Sequence, residues 1–247
     1  MRFFFFFFLL SYQFTFAQGA FERGNKLYKE GKYQDAIEVY QSILNAKKHS
    51  ADLYFNIGNC YYKLNKIAPA IYNFEKALFL NPTDTDIQNN LLFAQKRQID
   101  DIKEIPKVGF RHILQNFTAK YHHNTWAWIS VSFAGFFLLL FTGYFYANNS
   151  VAKRLFFTSM ILVLLFVILC VAAAIVQKNS FVSNRPAIVF AEIASVKTEP
   201  KSSAPDSFIL HEGSKVNVTE TLDDWKKIEI ADGKKGWILA SGIKEIK

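Results

Sequence analysis

Apolar positions in the first hundred residues recur at helical spacing, and then the whole block recurs. Set beneath one another, "AFERGNKLYKEGKYQDAIEVYQSIL" (from Ala20) and "YFNIGNCYYKLNKIAPAIYNFEKAL" (from Tyr54) align throughout. Gly24 falls on Gly58, Leu27 on Tyr61, Ala36 on Ala70, Tyr40 on Phe74 and Ile43 on Ala77, always 34 residues apart. The pattern predicts two helix–turn–helix units, about 17–50 and 51–84, with "LNPTD" closing the second. A polar capping helix is expected over 85–102, inside a helical domain spanning 18–105. One unit alone cannot bury its apolar face, so stacking makes the pair fold. Gly24, Gly58, Ala36 and Ala70 are expected to let helices approach closely, while Tyr40 and Phe74 fill the space between them. The dense stretch "NIGNCYYKLNK" (Asn56 to Lys66) is then mostly packing, and Cys60 is a small apolar residue.

The pattern changes twice more. No Asp, Glu, Lys or Arg occurs from Tyr121 to Ala152, and a second uncharged run covers Leu155 to Val176. Each is long enough to cross a hydrocarbon core, which predicts transmembrane helices at 126–147 and 155–176. Trp126, Trp128, Tyr144 and Tyr146 stand near the ends of the first, where amphipathic rings favour the headgroup region. The link "NNSVAKR", 148–154, forces an antiparallel hairpin, and Lys153 and Arg154 suit a cytoplasmic turn. Upstream, over 106–125, Phe110, Ile113, Leu114 and Phe117 oppose Lys107, Arg111 and Lys120, an amphipathic juxtamembrane segment suited to the interface. Beyond Asn184, short β-rich runs ("AIVFAEIASVKT", "GSKVNVTET", "DWKKIEIAD", "KGWILAS") are separated by Pro, Gly, Ser and Asp, which predicts a small all-β barrel over 186–247.

The N-terminus, "MRFFFFFFLLSYQFTFAQ", has one positive residue before an apolar run, then small residues at Thr15 and Ala17. That is signal-peptide grammar, with 1–17 removed after Ala17; an uncleaved anchor is the other reading. Either way, the helical repeats and the β-module are expected outside the cytoplasm, on the same face of the membrane.

Composition excludes more than it adds. The net charge is +8, but the basic residues are scattered, which disfavours nucleic acid as a partner. Two cysteines are too few for a disulfide framework. His122 and His123 are adjacent, the wrong spacing for two ligands on one helix face, so no metal is assigned. There is no phosphate loop, nucleophile elbow or zinc motif, and the chain reads as a non-enzyme with no cofactor.

The 34-residue helix–turn–helix repeat resembles the tetratricopeptide repeat (TPR) family. In that family the first helices of the units line a concave groove for extended peptides or partner helices. The resemblance places Phe21, Asn25, Tyr28 and Lys29, repeated as Phe55, Asn59, Tyr62 and Lys63, on that face. They form a partner-binding groove or they pack on neighbouring helices; the sequence leaves both open. Asn25 and Asn56 match the asparagines of the family's carboxylate clamp, but Phe21, Asp86 and Asn90 stand where its basic residues belong, which argues against such a clamp. The C-terminal segments "VKTEP", "LHEGSKV" and "DDWKKIEIADGKKGWI" resemble a bacterial SH3-like domain, with Trp225 after a turn at the core edge and Gly236 and Trp237 on the next strand. Such modules bind cell-wall material or act as protein contacts.

The order of signal, two TPR units, hairpin and SH3-like barrel resembles the BatE family, the TPR component of the Bat (Bacteroides aerotolerance) operon of Bacteroidetes. The resemblance implies a cell-envelope scaffold associated with oxygen or stress tolerance. Its implied partners are membrane proteins bearing von Willebrand A domains and, indirectly, a MoxR-type ATPase system. The rival reading is an envelope sensor whose barrel binds peptidoglycan.

Overall fold

The computed structural model describes residues 19–102, 117–118, 121 and 123–247. The expected signal peptide and the amphipathic positions Phe110, Ile113 and Leu114 lie outside the described residues. Those described fall into two compact units, one joining the helical repeats to the chain from Arg185 to Lys247, the other holding the apolar hairpin.

In the first unit, α1 covers 19–29, α2 Tyr33–Asn45, α3 Ala51–Lys63, α4 Ile67–Leu80 and α5 Thr85–Gln95. The turn within each repeat is built the same way twice. Gly31 (φ 77°) and Asn65 (φ 58°) take the left-handed conformation that ends a helix. The next amide then bonds back across the turn, Lys32 N–H to the Leu27 carbonyl and Lys66 N–H to the Tyr61 carbonyl, both at 2.9 Å. Ser50 caps α3 by accepting from Leu53 N–H, and Asp84 caps α5 by accepting from Asp86 and Ile87 N–H.

Inside each unit the small residue is compulsory. A Cβ on Gly24 would lie 2.3 Å from the Tyr40 ring, and one on Gly58 would lie 2.7 Å from the Phe74 ring. Tyr40 and Phe74 are fully buried in those gaps, and so is Cys60. Burial pushes the Cys60 thiol up to about 12, so it stays protonated and unreactive at neutral pH.

The capping helix stops at Gln95 rather than at 102. The residues that would extend it are spent on the β-module. Gln98 donates to the Gly213 carbonyl, and Asp100 accepts from the His211 backbone N–H and the Ser214 hydroxyl.

The β-module contains β1 Pro186–Val189, β2 Ile193–Lys197, β3 Asp206–His211, β4 Lys215–Leu222, β5 Trp225–Glu229, β6 Lys235–Leu239 and β7 Ile243–Glu245. All pairings are antiparallel, in the order β3-β2-β6-β5-β4-β1-β7. Val189, Val196, Val218, Ile228 and Ile238 form its core. Arg185 fixes the entry, donating through Nε and Nη2 to the two oxygens of Glu245 at 3.1 and 2.9 Å.

The sequence treats the helical domain and this module as separate bodies; the structure makes them one. Because side chains alternate along a strand, β1 serves two cores. Ala187 and Val189 enter the module's interior, while Ile188 joins Ile71, Phe74 and Leu91 of the helices, as does Ile246. Tyr72 meets the Phe190 ring edge-on at 5.6 Å, and Lys215 Nζ bonds both carboxylate oxygens of Glu75 at 2.7 Å.

The second unit is a helical hairpin, α6 (His123–Tyr146) and α7 (Ser150–Ser183). Both helices are long and apolar enough to cross a membrane. Their exposed side chains include Leu138, Leu139, Leu162 and Leu169. They pack through Phe133 on Phe166, ring centroids 4.5 Å apart, and through Phe156 against Gly143. The turn is shorter than the 148–154 expected. Asn149 Oδ1 accepts from Val151 N–H and starts α7 early, so Lys153 and Arg154 sit in its first turns. The second helix likewise runs past 176, to Ser183.

Candidate functional site

The residues singled out from the repeat lie together on α1 and α3, with α5 beside them. Phe21 packs on Tyr40 and Phe55 on Phe74 in nearly the same way, centroids 5.8 and 5.9 Å apart at interplanar angles of 50° and 49°. Tyr28 meets the Tyr33 ring edge-on at 5.3 Å, and the Arg97 guanidinium lies 5.4 Å from the Tyr62 ring centroid. All four are half-buried, whereas Lys29 and Lys63 are exposed. Each aromatic therefore spends one face on packing and shows the remainder at the surface.

The asparagines form a ladder with the period of the repeat. Asn56 Nδ2 donates to Asn25 Oδ1 at 2.9 Å, and 34 residues later Asn90 Nδ2 donates to Asn59 Oδ1 at 2.8 Å. Asn25 Oδ1 also accepts from the Tyr40 hydroxyl at 2.7 Å. Phe74 replaces that tyrosine in the second unit, so Asn59 has no such donor. The ladder uses the oxygens of Asn25 and Asn59 as acceptors, and each of these side chains also carries an amide NH2 group. Asn56 and Asn90 are the members that repeat alignment alone did not pair. Their spacing of 34 was the available signal.

In the β-module, Trp225 opens β5 just after a turn in which Asp223 takes φ 49°. Gly236 and Trp237 lie on β6, which pairs with β5 so that Lys227 faces Trp237. A Cβ on Gly236 would come within 2.5 Å of Val196, so this position is filled by the neighbouring strand. Trp237 is half-buried, with Lys227 Nζ 5.6 Å from its ring centroid. The three residues are thus on adjoining strands, remote in sequence from the ladder.

The family comparisons agree with this division. The Tetratricopeptide repeat model matches residues 51–84, the TPR repeat model matches 24–65, and the Bacterial SH3 domain model matches 194–244. Tetratricopeptide repeats and a bacterial SH3 domain are both present. Among curated proteins, the chain is 34% identical over 64 residues to the Hsp70-Hsp90 organizing protein of Triticum aestivum, 26% of this chain and 11% of that one. It is 33% identical over 75 residues to sperm-associated antigen 1 of Mus musculus, 30% and 8% of the two chains. It is also 33% identical over 90 residues to RNA polymerase II-associated protein 3 of Mus musculus, 35% and 14%. The chain thus spans a small fraction of each relative's length.

The signal that sequence reasoning missed is on the outside of α4. Ala68, Tyr72 and Glu75 are buried there, covered by the β-module. An all-round apolar helix marks a second packing partner, and "IAPAIYNFEKALFL" is apolar on nearly every face.

Proposed function

We propose that this chain is a non-enzymatic, membrane-tethered scaffold that docks an extended segment of a partner protein on the inner face of its repeats. The asparagine ladder carries this reading. Amide donors at repeat spacing suit the carbonyls of an extended backbone, and the half-exposed Phe21, Tyr28, Phe55 and Tyr62 supply aromatic contact area beside them. Lys29 and Lys63 at the rim favour an acidic segment and speed its encounter. The hairpin holds this surface at a membrane, where shared tethering raises the effective concentration of another membrane protein. Placement of both soluble parts in the periplasm, and partners of the von Willebrand A-domain kind from a Bat-type system, follow from the resemblance in domain order.

The sensor reading, with peptidoglycan on the SH3 module, draws its support from the fusion of module and repeats into one body, since a relay needs such a connection. One experiment separates the two. The full-length protein, wild type and an Asn59→Ala/Lys29→Glu/Lys63→Glu variant, is crosslinked in its native membranes and purified. Docking on the ladder face requires that defined membrane proteins be captured by the wild type and lost from the equally stable variant. Partners retained by the variant refute it, and recovery of cell wall alone turns the reading to the sensor.

A further inference from the structure

Where α2, α3 and α4 meet the β-module lies a cavity of about 320 Å³. Aromatic rings form much of its wall. Two lysines converge there, one from each part of the unit. Lys76 Nζ is 5.4 Å from the ring centroids of both Tyr54 and Tyr72, and Lys244 Nζ is 4.6 Å from Tyr72 and 5.8 Å from Phe190. Both ammonium groups thus share the Tyr72 ring.

Among the described residues neither lysine has a carboxylate within 4 Å, which sets Lys244 apart from most lysines of its own module. Lys197, Lys201, Lys215, Lys226, Lys227, Lys234 and Lys235 of the β-module each pair with an Asp or Glu within 4 Å. Folding therefore brings the half-buried Lys76 and the exposed Lys244 to one aromatic-walled hollow, with no carboxylate paired to either among the described residues. The half-buried Lys76 has its pKa lowered by burial and by the charge of Lys244. Ring faces compensate part of that cost, at roughly 0.5–2 kcal/mol per cation–π contact. His49 Nδ1 and the Tyr54 hydroxyl, 2.8 Å apart, add a polar hydrogen-bonding pair on the same wall.

We propose that this cavity binds a small ligand carrying a single oxyanion, phosphate or carboxylate, on a flat or apolar group. The oxyanion would sit between Lys76 and Lys244, and the flat part against Tyr72 and Phe190. A volume near 300 Å³ is at the small end of ligand sites. Lysines act as point charges without the planar fork that selects bidentate geometry, so either oxyanion fits. Because the walls come from both the repeats and the SH3 module, occupancy also ties the two together, on a face distinct from the ladder.

The test uses the full-length protein in detergent micelles, with phenyl phosphate, benzoate and inorganic phosphate as separate probes. Thermal unfolding and tyrosine-ring NMR shifts are read for the wild type and for a Lys76→Gln/Lys244→Gln variant. Phenyl phosphate or benzoate should raise the wild-type Tm and shift the Tyr72 ring, and whichever does so identifies the oxyanion. Inorganic phosphate should act more weakly, having no ring to stack. The variant should lose affinity by about tenfold or more, the loss typical of hydrogen bonds to charged groups, yet be at least as stable as wild type without ligand because a repulsion is gone. Equal responses in both proteins would place the anion elsewhere. A less stable variant beside a wild type that ignores all three probes would make the lysines structural, and the proposal would fail.

Discussion

The second helices of the two repeats occupy equivalent positions and have different fates. α2 and α4 share an inner face: Ala36 and Ala70, Ile37 and Ile71, Tyr40 and Phe74, Ile43 and Ala77 are all buried. Their outer faces differ. At the same offsets, α2 shows Gln34, Glu38 and Gln41 to solvent, whereas α4 buries Ala68, Tyr72 and Glu75. One helix is amphipathic and ends the packing; the other is apolar on two sides and carries the SH3 module on its back. A repeat array thus encodes its attachments on the outside of individual units while the inside keeps the stacking rule. Of the two repeats, it is the second that carries the module, together with the chain around and after α5.

The largest break in this comparison comes from matched truncations on the outer faces. Tyr72→Ala removes a ring that packs on Phe190 and whose hydroxyl donates to the Glu245 carbonyl at 3.3 Å. Such a buried aromatic truncation costs about 3–5 kcal/mol. Glu38→Ala, the same position one repeat earlier, is expected to stay within about 0.5 kcal/mol. Thermal or urea unfolding of the two variants checks the pair. Equal costs would mean that the module's contact with α4 adds nothing to stability.

Why the repeats were legible while their union with the module was not has a physical answer. Gly24 and Gly58 are dictated by a backbone approach that leaves no room for a Cβ, so they recur at a fixed spacing that alignment finds at once. The strands were legible from their alternation. Contacts such as Lys215 to Glu75 or Gln98 to Gly213 join residues more than a hundred positions apart with no period. Only the composition of α4 and the three consecutive buried residues of β1, Ala187 to Val189, hint at a second core. At the candidate site, the aromatics and Asn25 and Asn59 stood out through repetition. Their pairing with Asn56 and Asn90 crosses between helices and required the geometry.

A smaller effect, and one with a pH signature, is expected where the chain after α5 ties the two parts together. Burial pushes the Asp100 carboxyl up. Hydrogen bonds from the His211 N–H, the Ser214 hydroxyl and the His211 ring, with the ring's charge, outweigh it and hold the carboxyl below its usual range. A carboxylate with a lowered folded pKa contributes stability fully above its unfolded pKa, about 3.9, and loses that contribution as pH falls through the lower folded value. Asp100→Asn should therefore cost about 1–2 kcal/mol at neutral pH, the worth of hydrogen bonds to a charged acceptor. The gap from wild type should narrow below about pH 4. Unfolding free energies measured from pH 3 to 7 decide it; a gap that is constant with pH would remove the ionised carboxylate from the account.

The smallest and sharpest test lies on the inner face, where the two units are most alike. Tyr40 donates its hydroxyl to Asn25, and Phe74 fills the same gap over Gly58 with nothing to donate. Tyr40→Phe should cost about 1 kcal/mol, because it deletes a buried hydrogen bond without leaving a cavity. It should also leave the first rung of the ladder with the partners of the second. The reciprocal change, Phe74→Tyr, places a hydroxyl in a fully buried position, which ordinarily costs about 1–3 kcal/mol when no acceptor is present. Here Asn59 occupies the position that Asn25 holds in the first unit, and its Oδ1 already accepts from Asn90 just as Asn25 accepts from Asn56. The exchange is accordingly expected to be nearly neutral, with the new hydroxyl bonded to Asn59 Oδ1. A penalty at the full unsatisfied value, measured by urea unfolding, would show that the ladder's two rungs are alike in spacing but not in reach.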